Sequence, residues 1–276
     1  MKNVMVVYYS QTGQLKEILK NFCSCQDESC KFDFVEIKAS QYVFPLTWKS
    51  MLNMFPESVM QMPCDITYSI PKECKYDLII LGFQTWFLHL SLPILSFLKT
   101  EDFNELVAGK DVCLVMDCRN SWQEAMSNVE NSVIRNNGRI AGKYVFANSS
   151  GNIMGVLPIL NWFFTGNKKI GCLPDAGVSQ TEIEKAYDYG QYYWKNGCKN
   201  HKVLIFPSGV KLMPHELETY AKGKFHKWAV SIQATPNHRN IKLLIFAVWL
   251  IGTLLFIAPF KSLKRDKDNN HDLNNF

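Results

Sequence analysis

The sequence predicts an α/β fold: a doubly wound, five-stranded parallel sheet followed by a hydrophobic C-terminal helix. Two observations predict the sheet. Continuous apolar, β-branched runs recur through the first 200 residues, the pattern of strands buried on both faces. Helical patterns separate them, and strands alternating with helices close into one parallel sheet through right-handed crossovers. The third observation, Leu243–Phe260, is 18 residues without a charge.

Taken in order, Val4–Tyr9 is the first strand, and Gln14–Phe22 is a helix with Leu15, Ile18, Leu19 and Phe22 on one face. Phe32–Ile37 alternates and forms the second strand. Residues 38–75 are aromatic and proline-bearing without clean periodicity, which marks an insertion with one short helix near Trp48–Phe55. Asp77–Leu81 is the central strand, ended by Gly82, with Pro93–Leu98 in the next helix. Asp111–Met116 is the fourth strand, a helix covers Trp122–Asn136, Lys143–Ala147 is the fifth strand, and Gln180–Trp194 returns to helical spacing.

The chain has 276 residues, 47% hydrophobic, enough to bury a core and too apolar for a disordered chain. With only 15 Gly and 11 Pro, collagen-like and low-complexity classes are excluded. The net charge of +5 is unevenly placed: residues 1–200 hold 19 Lys+Arg against 20 Asp+Glu, and residues 201–276 hold 11 against 5. Nucleic acid is therefore not an expected partner, because the predicted folded body carries no basic excess. Nine cysteines cannot all pair, and Met1-Lys2-Asn3-Val4 leads straight into a strand, so a reducing, cytosolic setting is expected. Cys23, Cys25 and Cys30 lack a fourth ligand of matching pattern, and no metal centre is expected.

The C-terminal quarter divides into a basic, amphipathic membrane-proximal segment (201–240), a transmembrane or membrane-anchoring helix (241–261) and a disordered tail (262–276). As a helix, Leu243–Phe260 is about 27 Å long, barely enough for a bilayer core. Residues 224–242 and 261–276 each hold four Lys+Arg, so charge does not fix an orientation. Membrane lipid is an expected partner, through Lys222–Val230, where cations mix with Phe225 and Trp228.

In a parallel sheet, ligands bind beyond the C-terminal strand ends. Three loops fall there. Ser10, Gln11, Thr12, Gly13, Gln14 and Leu15 offer hydroxyls, a glycine and the N–H groups of a helix N-terminus, which suit a phosphate. Gln84, Thr85, Trp86 and Phe87, followed by His89, place adjacent aromatics where a flat ring would stack. Asp117, Cys118, Arg119 and Asn120, followed by Ser121 and Trp122, offer polar groups to a ring edge, or else cap the next helix. Phosphate at one loop and a planar ring between the other two describe flavin mononucleotide (FMN). His89, Asp117 and Tyr144 are candidate general bases. Trp162, Phe163 and Phe164 line an apolar channel or belong to the core, and Lys168 and Lys169 form a solvated turn.

The loop SQTGQ resembles the flavodoxin phosphate signature, with Leu15 where a threonine is common. More narrowly, VMVVYYSQTGQLKEIL (4–19), LGFQTWFLHLSLPILSFL (81–98), CRNSWQEA (118–125) and TGNKKIGCLPDAGVS (165–179) resemble the dialkylresorcinol condensing enzymes of flexirubin and arylpolyene pathways. That resemblance implies a flavodoxin-like FMN domain over residues 1–200. It further implies an oxidoreductase that aromatises a 2,5-dialkylcyclohexane-1,3-dione supplied by a ketosynthase partner. A substrate with two alkyl chains is lipophilic, which fits anchoring by the C-terminal helix to the cytoplasmic face of the inner membrane. The competing readings are a membrane-anchored electron carrier, an NAD(P)H quinone reductase and a flavin-free scaffold.

Overall fold

In a computed structural model, the structure describes residues 2–24, 30–71, 75–148, 156–196, 203–206, 213 and 215–253. β1 (Lys2–Tyr8) is followed by α1 (Gln14–Phe22), β2 (Cys30–Glu36) and α2 (Trp48–Val59). Next come β3 (Leu78–Trp86), β4 (His89–Leu90), α3 (Leu92–Phe97), α4 (Glu101–Val107), β5 (Asp111–Cys118) and α5 (Gln123–Arg135). The chain continues through β6 (Arg139–Ala147), α6 (Val156–Thr165), α7 (Gln180–Lys195), β7 (Val203–Phe206), α8 (His215–Gln233) and α9 (Arg239–Gly252).

The strand order is β2-β1-β3-β5-β6-β7, all parallel, with β4 paired antiparallel to β3. Without the last strand and β4, this is the flavodoxin-like order, which reverses direction between β1 and β3. Both faces of the sheet are covered. Met5 and Val7 of β1 face a core shared with α3, α4 and α5. Val4, Val6 and Tyr8 face a second core under α1 and α7. This is why the strands read as unbroken apolar runs.

Three expectations are corrected. Gly82 does not end the central strand: β3 runs on to Trp86. A side chain at Gly82 would meet Leu19 Cδ1 at 2.6 Å and Tyr8 Cβ at 2.7 Å, so the glycine lets α1 lie close to the sheet. Among the described residues the sheet has six parallel strands rather than five. The sixth, β7, pairs with β6 from Lys143↔Val203 to Phe146↔Phe206. It falls inside the segment expected to be membrane-proximal.

The third correction concerns the C-terminal helix. α9 is not apolar-exposed all round. Its Leu243 and Phe246 are buried with Ala229 and Ile232 of α8 and Phe55 and Val59 of α2. The inserted helix expected near Trp48–Phe55 forms, one turn longer, and supplies the platform for this third core. No helix among the described residues is long and apolar enough to cross a membrane. Residues 254–276, including the second part of the uncharged run and the expected tail, lie outside the described residues.

α1 and α7 approach closely. Trp194 Nε1 donates to Phe22 O at 3.0 Å, and a Cβ on Gly190 would sit 2.0 Å from that same oxygen. Gly190→Ala is therefore expected to force the helices apart and cost roughly 1–3 kcal/mol. A urea titration checks it; a midpoint equal to that of the parent would show the contact to be slack.

Candidate functional site

β1 ends at Tyr8, and the chain must turn into α1 within five residues. Gly13 makes the turn at φ 83°, in the left-handed region, as the residue before the helix. Ser10 Oγ accepts from Lys16 N at 3.2 Å. The N–H groups of Thr12, Gly13, Gln14 and Leu15 meet no acceptor among the described residues. Nothing lies within 4 Å of where a Gly13 Cβ would stand. The result is a fan of unsatisfied donors at a helix N-terminus with open space before it, which fits a phosphate.

The side chains of this loop do different work from that expected. Gln14 is clamped to the backbone of Val178: Nε2 donates to Val178 O at 3.0 Å and Oε1 accepts from Val178 N at 2.9 Å. Gln11 is equally committed. Its Oε1 accepts from Tyr9 OH at 2.9 Å, its Nε2 donates to Tyr42 O at 3.0 Å, and its N–H donates to Gln84 Oε1 at 3.2 Å. Leu15 is wholly buried in the core. Of the six residues, Ser10, Thr12 and Gly13 remain at the surface; Gln11, Gln14 and Leu15 offer only backbone.

The second loop is a two-residue hairpin. Phe87 and Leu88 both have positive φ, at 48° and 69°, the mirror-image turn that matches strand twist but strains side-chain-bearing residues. Packing holds it. The Phe87 ring meets Phe55 edge-on at 5.2 Å, and His89 Nδ1 lies 2.8 Å from Phe87 O. The expected stacking wall is corrected here. Trp86 is buried, edge-on to Tyr9 at 5.6 Å and to Tyr42 at 5.1 Å, and Phe87 turns toward α2. Gln84 is occupied with Gln11, while Thr85 Oγ1 donates to Ser121 O at 3.4 Å.

The third loop closes the group. Asp117 is opposite Gln84 in the β3–β5 register. Burial raises its pKa to about 7, raises that of Cys118 and lowers that of Arg119 to about 10. Neither Asn120 nor Ser121 caps α5; its N-cap is Trp122, with no side-chain cap. Asn120 O instead accepts from Met213 N at 2.8 Å, and Ser121 Oγ and Trp122 Nε1 are buried without a partner among the described residues. Tyr144, by contrast, is withdrawn from the candidates. It is fully buried in mid-strand, its ring 4.8 Å from Phe22 and 5.6 Å from Tyr193.

The carbonyl of Phe87 can only accept, so Nδ1 of neutral His89 carries the proton and Nε2 the lone pair. Burial lowers the His89 pKa, and charges on Glu124, Lys222 and Glu218 also act on it. Those three form a triad: Lys222 Nζ lies 2.5 Å from Glu124 Oε2 and 2.6 Å from Glu218 Oε1. Sequence reasoning missed this triad, although the four-residue spacing of Glu218 and Lys222 on one helix face was a signal for it. It also missed Tyr42, whose only sequence signal was an aromatic in an aperiodic insertion.

Trp162 is buried beside Gln14: a Gly177 Cβ would touch both Gln14 Oε1, at 2.6 Å, and Trp162 Cζ3, at 2.8 Å. Phe164 stacks on the exposed Trp48 at 3.9 Å, and Lys168 Nζ stands 5.0 Å over the Trp162 ring. The four stretches of the sequence resemblance thus meet at one end of the sheet, linked by the Gln11–Gln84, Thr85–Ser121 and Gln14–Val178 hydrogen bonds.

The raised Asp117 pKa has a consequence for stability. The native state keeps its proton to higher pH than the unfolded chain, whose carboxyl titrates near 3.8. The contribution is full below about pH 4, declines as pH rises toward about 7, and levels off above that. Asp117→Asn is expected to flatten this decline. Melting both proteins at about pH 5 and about pH 8 checks it, and equal losses between the two would count against a buried carboxyl.

No family model and no curated protein matches the chain. Among solved structures, it is similar to a flavoprotein in complex with FMN from Lactobacillus acidophilus NCFM, at 18% identity and a TM-score of 0.42, covering 53% of this chain and 93% of that one. It is also similar to a flavodoxin, WrbA-like protein from Agrobacterium tumefaciens, at 14% identity and a TM-score of 0.39, over 73% and 100% of the two chains. A flavodoxin from the domain Archaea is similar at 11% identity and a TM-score of 0.39, over 70% and 97%.

Proposed function

We propose that this chain is an FMN-dependent oxidoreductase that aromatises a 2,5-dialkylcyclohexane-1,3-dione to a dialkylresorcinol at a membrane surface. The observation that carries the flavin reading is the set of unsatisfied N–H groups around Gly13, open to solvent at the switch point of the sheet. The substrate is proposed from the four resembling stretches, which converge on that same end.

Bound FMN supplies a two-electron acceptor for a hydride. The chain supplies the rest. Ser10, Thr12 and the backbone from Thr12 to Leu15 hold the phosphate. Asp117, with a pKa of about 7, takes the acidic ring proton, since a base titrating near the working pH is ionised often enough and basic enough to act. His89 Nε2 is the second candidate for that proton. A substrate with two alkyl chains partitions into lipid, and the C-terminal helices bring the domain to the cytoplasmic face of the inner membrane, where a ketosynthase partner delivers it.

The test mixes the full-length protein with FMN and a synthetic dialkylcyclohexanedione and follows the product by mass spectrometry. A resorcinol two hydrogens lighter is the expected result. A flavin-loaded protein that leaves the dione unchanged but exchanges single electrons with a cytochrome would replace this reading with an electron carrier. A protein that binds no flavin would leave the scaffold reading.

A further inference from the structure

We propose that α8 and α9 form a hairpin that lies flat on an anionic lipid surface, with α9 in the plane of the interface rather than across the bilayer. The inference rests on the membrane reading above and specifies its geometry.

One face of α9 is already committed to the domain. Phe246 stacks on Phe55 of α2 at 3.7 Å, with Trp228 of α8 at 5.8 Å. Arg239 reaches Glu57 Oε1 at 2.5 Å and Asn53 O at 3.1 Å, and Lys242 Nζ donates to Ser231 O at 2.8 Å. An upright span through these residues would break the third core and an ion pair. The opposite face carries Ile241, Leu244, Ile245, Val248 and Ile251. Their spacing is that of one helical stripe, about 15 Å long. Leu244 is 62% exposed and Val248 64%. A face this apolar is covered by something apolar.

Charge selects lipid as the occupant. From residue 219 to residue 253 the chain has five Lys+Arg and no Asp or Glu. Lys222 and Arg239 are held in ion pairs, whereas Lys224 and Lys227 on α8 are exposed. Lys224 Nζ also stands 5.4 Å over the Tyr220 ring. An exposed apolar stripe on α9, exposed cations on α8 and the half-buried pair Trp228 and Trp249, 5.7 Å apart, together have the composition of a hairpin that lies in an anionic interface. α8 would then touch lipid while the charges of its Lys222 and Glu218 act on His89.

The experiment uses the full chain carrying a C-terminal epitope tag. It first asks for flotation with phosphatidylglycerol-containing vesicles and with phosphatidylcholine vesicles. Binding to the anionic vesicles at least about tenfold above the neutral ones is expected. Inside-out membrane vesicles from expressing cells are then treated with protease. Loss of the tag without detergent supports the flat hairpin. A tag protected until detergent is added shows a span and overturns the flat geometry while leaving the membrane reading. No flotation and no membrane recovery would overturn the membrane reading itself. Finally, Leu244→Glu with Val248→Glu is expected to lower vesicle binding by about a hundredfold or more with an unchanged melting temperature, because both side chains are exposed. Unchanged vesicle binding, or a dimer that the double variant splits, would overturn lipid as the occupant.

Discussion

Gly13→Val is expected to weaken FMN binding by about two to four orders of magnitude while leaving the fold intact. Gly13 sits at φ 83°, where a β-branched residue is a strong outlier. Open space surrounds the position, so valine meets no clash in the core; the loop yields instead. Its yielding turns the N–H groups of Gly13, Gln14 and Leu15 away from the phosphate. Hydrogen bonds to a charged group contribute about 1.5–3 kcal/mol each, and losing two accounts for the range. Thr12→Ala, which removes one half-exposed hydroxyl, should cost about tenfold. Fluorescence titration of FMN, with circular dichroism as the check on folding, reads both. A folded Gly13→Val protein with parental affinity would remove the phosphate from this loop.

Truncation after Asn200 is expected to yield a protein that aggregates or melts far below the full chain. The charge balance alone suggests the reverse, a soluble flavin domain ending near that residue. The structure gives the reason. Removing β7 turns β6 into an unpaired edge. Removing α8 and α9 uncovers Phe55 and Val59, both buried in the third core, and exposes Phe87 at the strained hairpin. Each large apolar side chain returned to water costs roughly 1.5–3 kcal/mol, and a few of these approach the whole stability of a domain, about 5–15 kcal/mol. The same cut deletes Lys222 and Glu218, whose charges act on His89. Thermal melting and sedimentation of the two proteins decide it; a truncated protein as soluble and as stable as the parent would show the C-terminal quarter to be an appendage.

The sheet and its helices were legible because both faces of the strands are covered. Val4–Tyr8, Leu78–Leu81 and Val112–Met116 are apolar throughout, and each lies within a strand. The phosphate loop was legible for a similar reason: a glycine between a buried strand and an amphipathic helix marks a turn with donors at its tip. What could not be read is where side chains point once the chain folds back on itself. β7 is four residues long, below the length at which an apolar run separates from its basic surroundings. Tyr144 looked available because a strand buried on both faces has no alternation to say that it faces Phe22 and Tyr193.

The sequence by itself determined the strand–helix alternation, the donor-rich turn at Gly13 and the absence of acidic residues from residue 219 to residue 253. Only the tertiary structure decided that Trp86 is a core residue, that Gln11 and Gln14 are structural clamps, and that α9 has one face buried and one exposed. The physical reason is range. Strand, helix and turn signals come from neighbours a few positions apart, whereas Trp86 is fixed by Tyr9 and Tyr42, Gln14 by Val178 and Phe246 by Phe55, partners between 44 and 191 positions away.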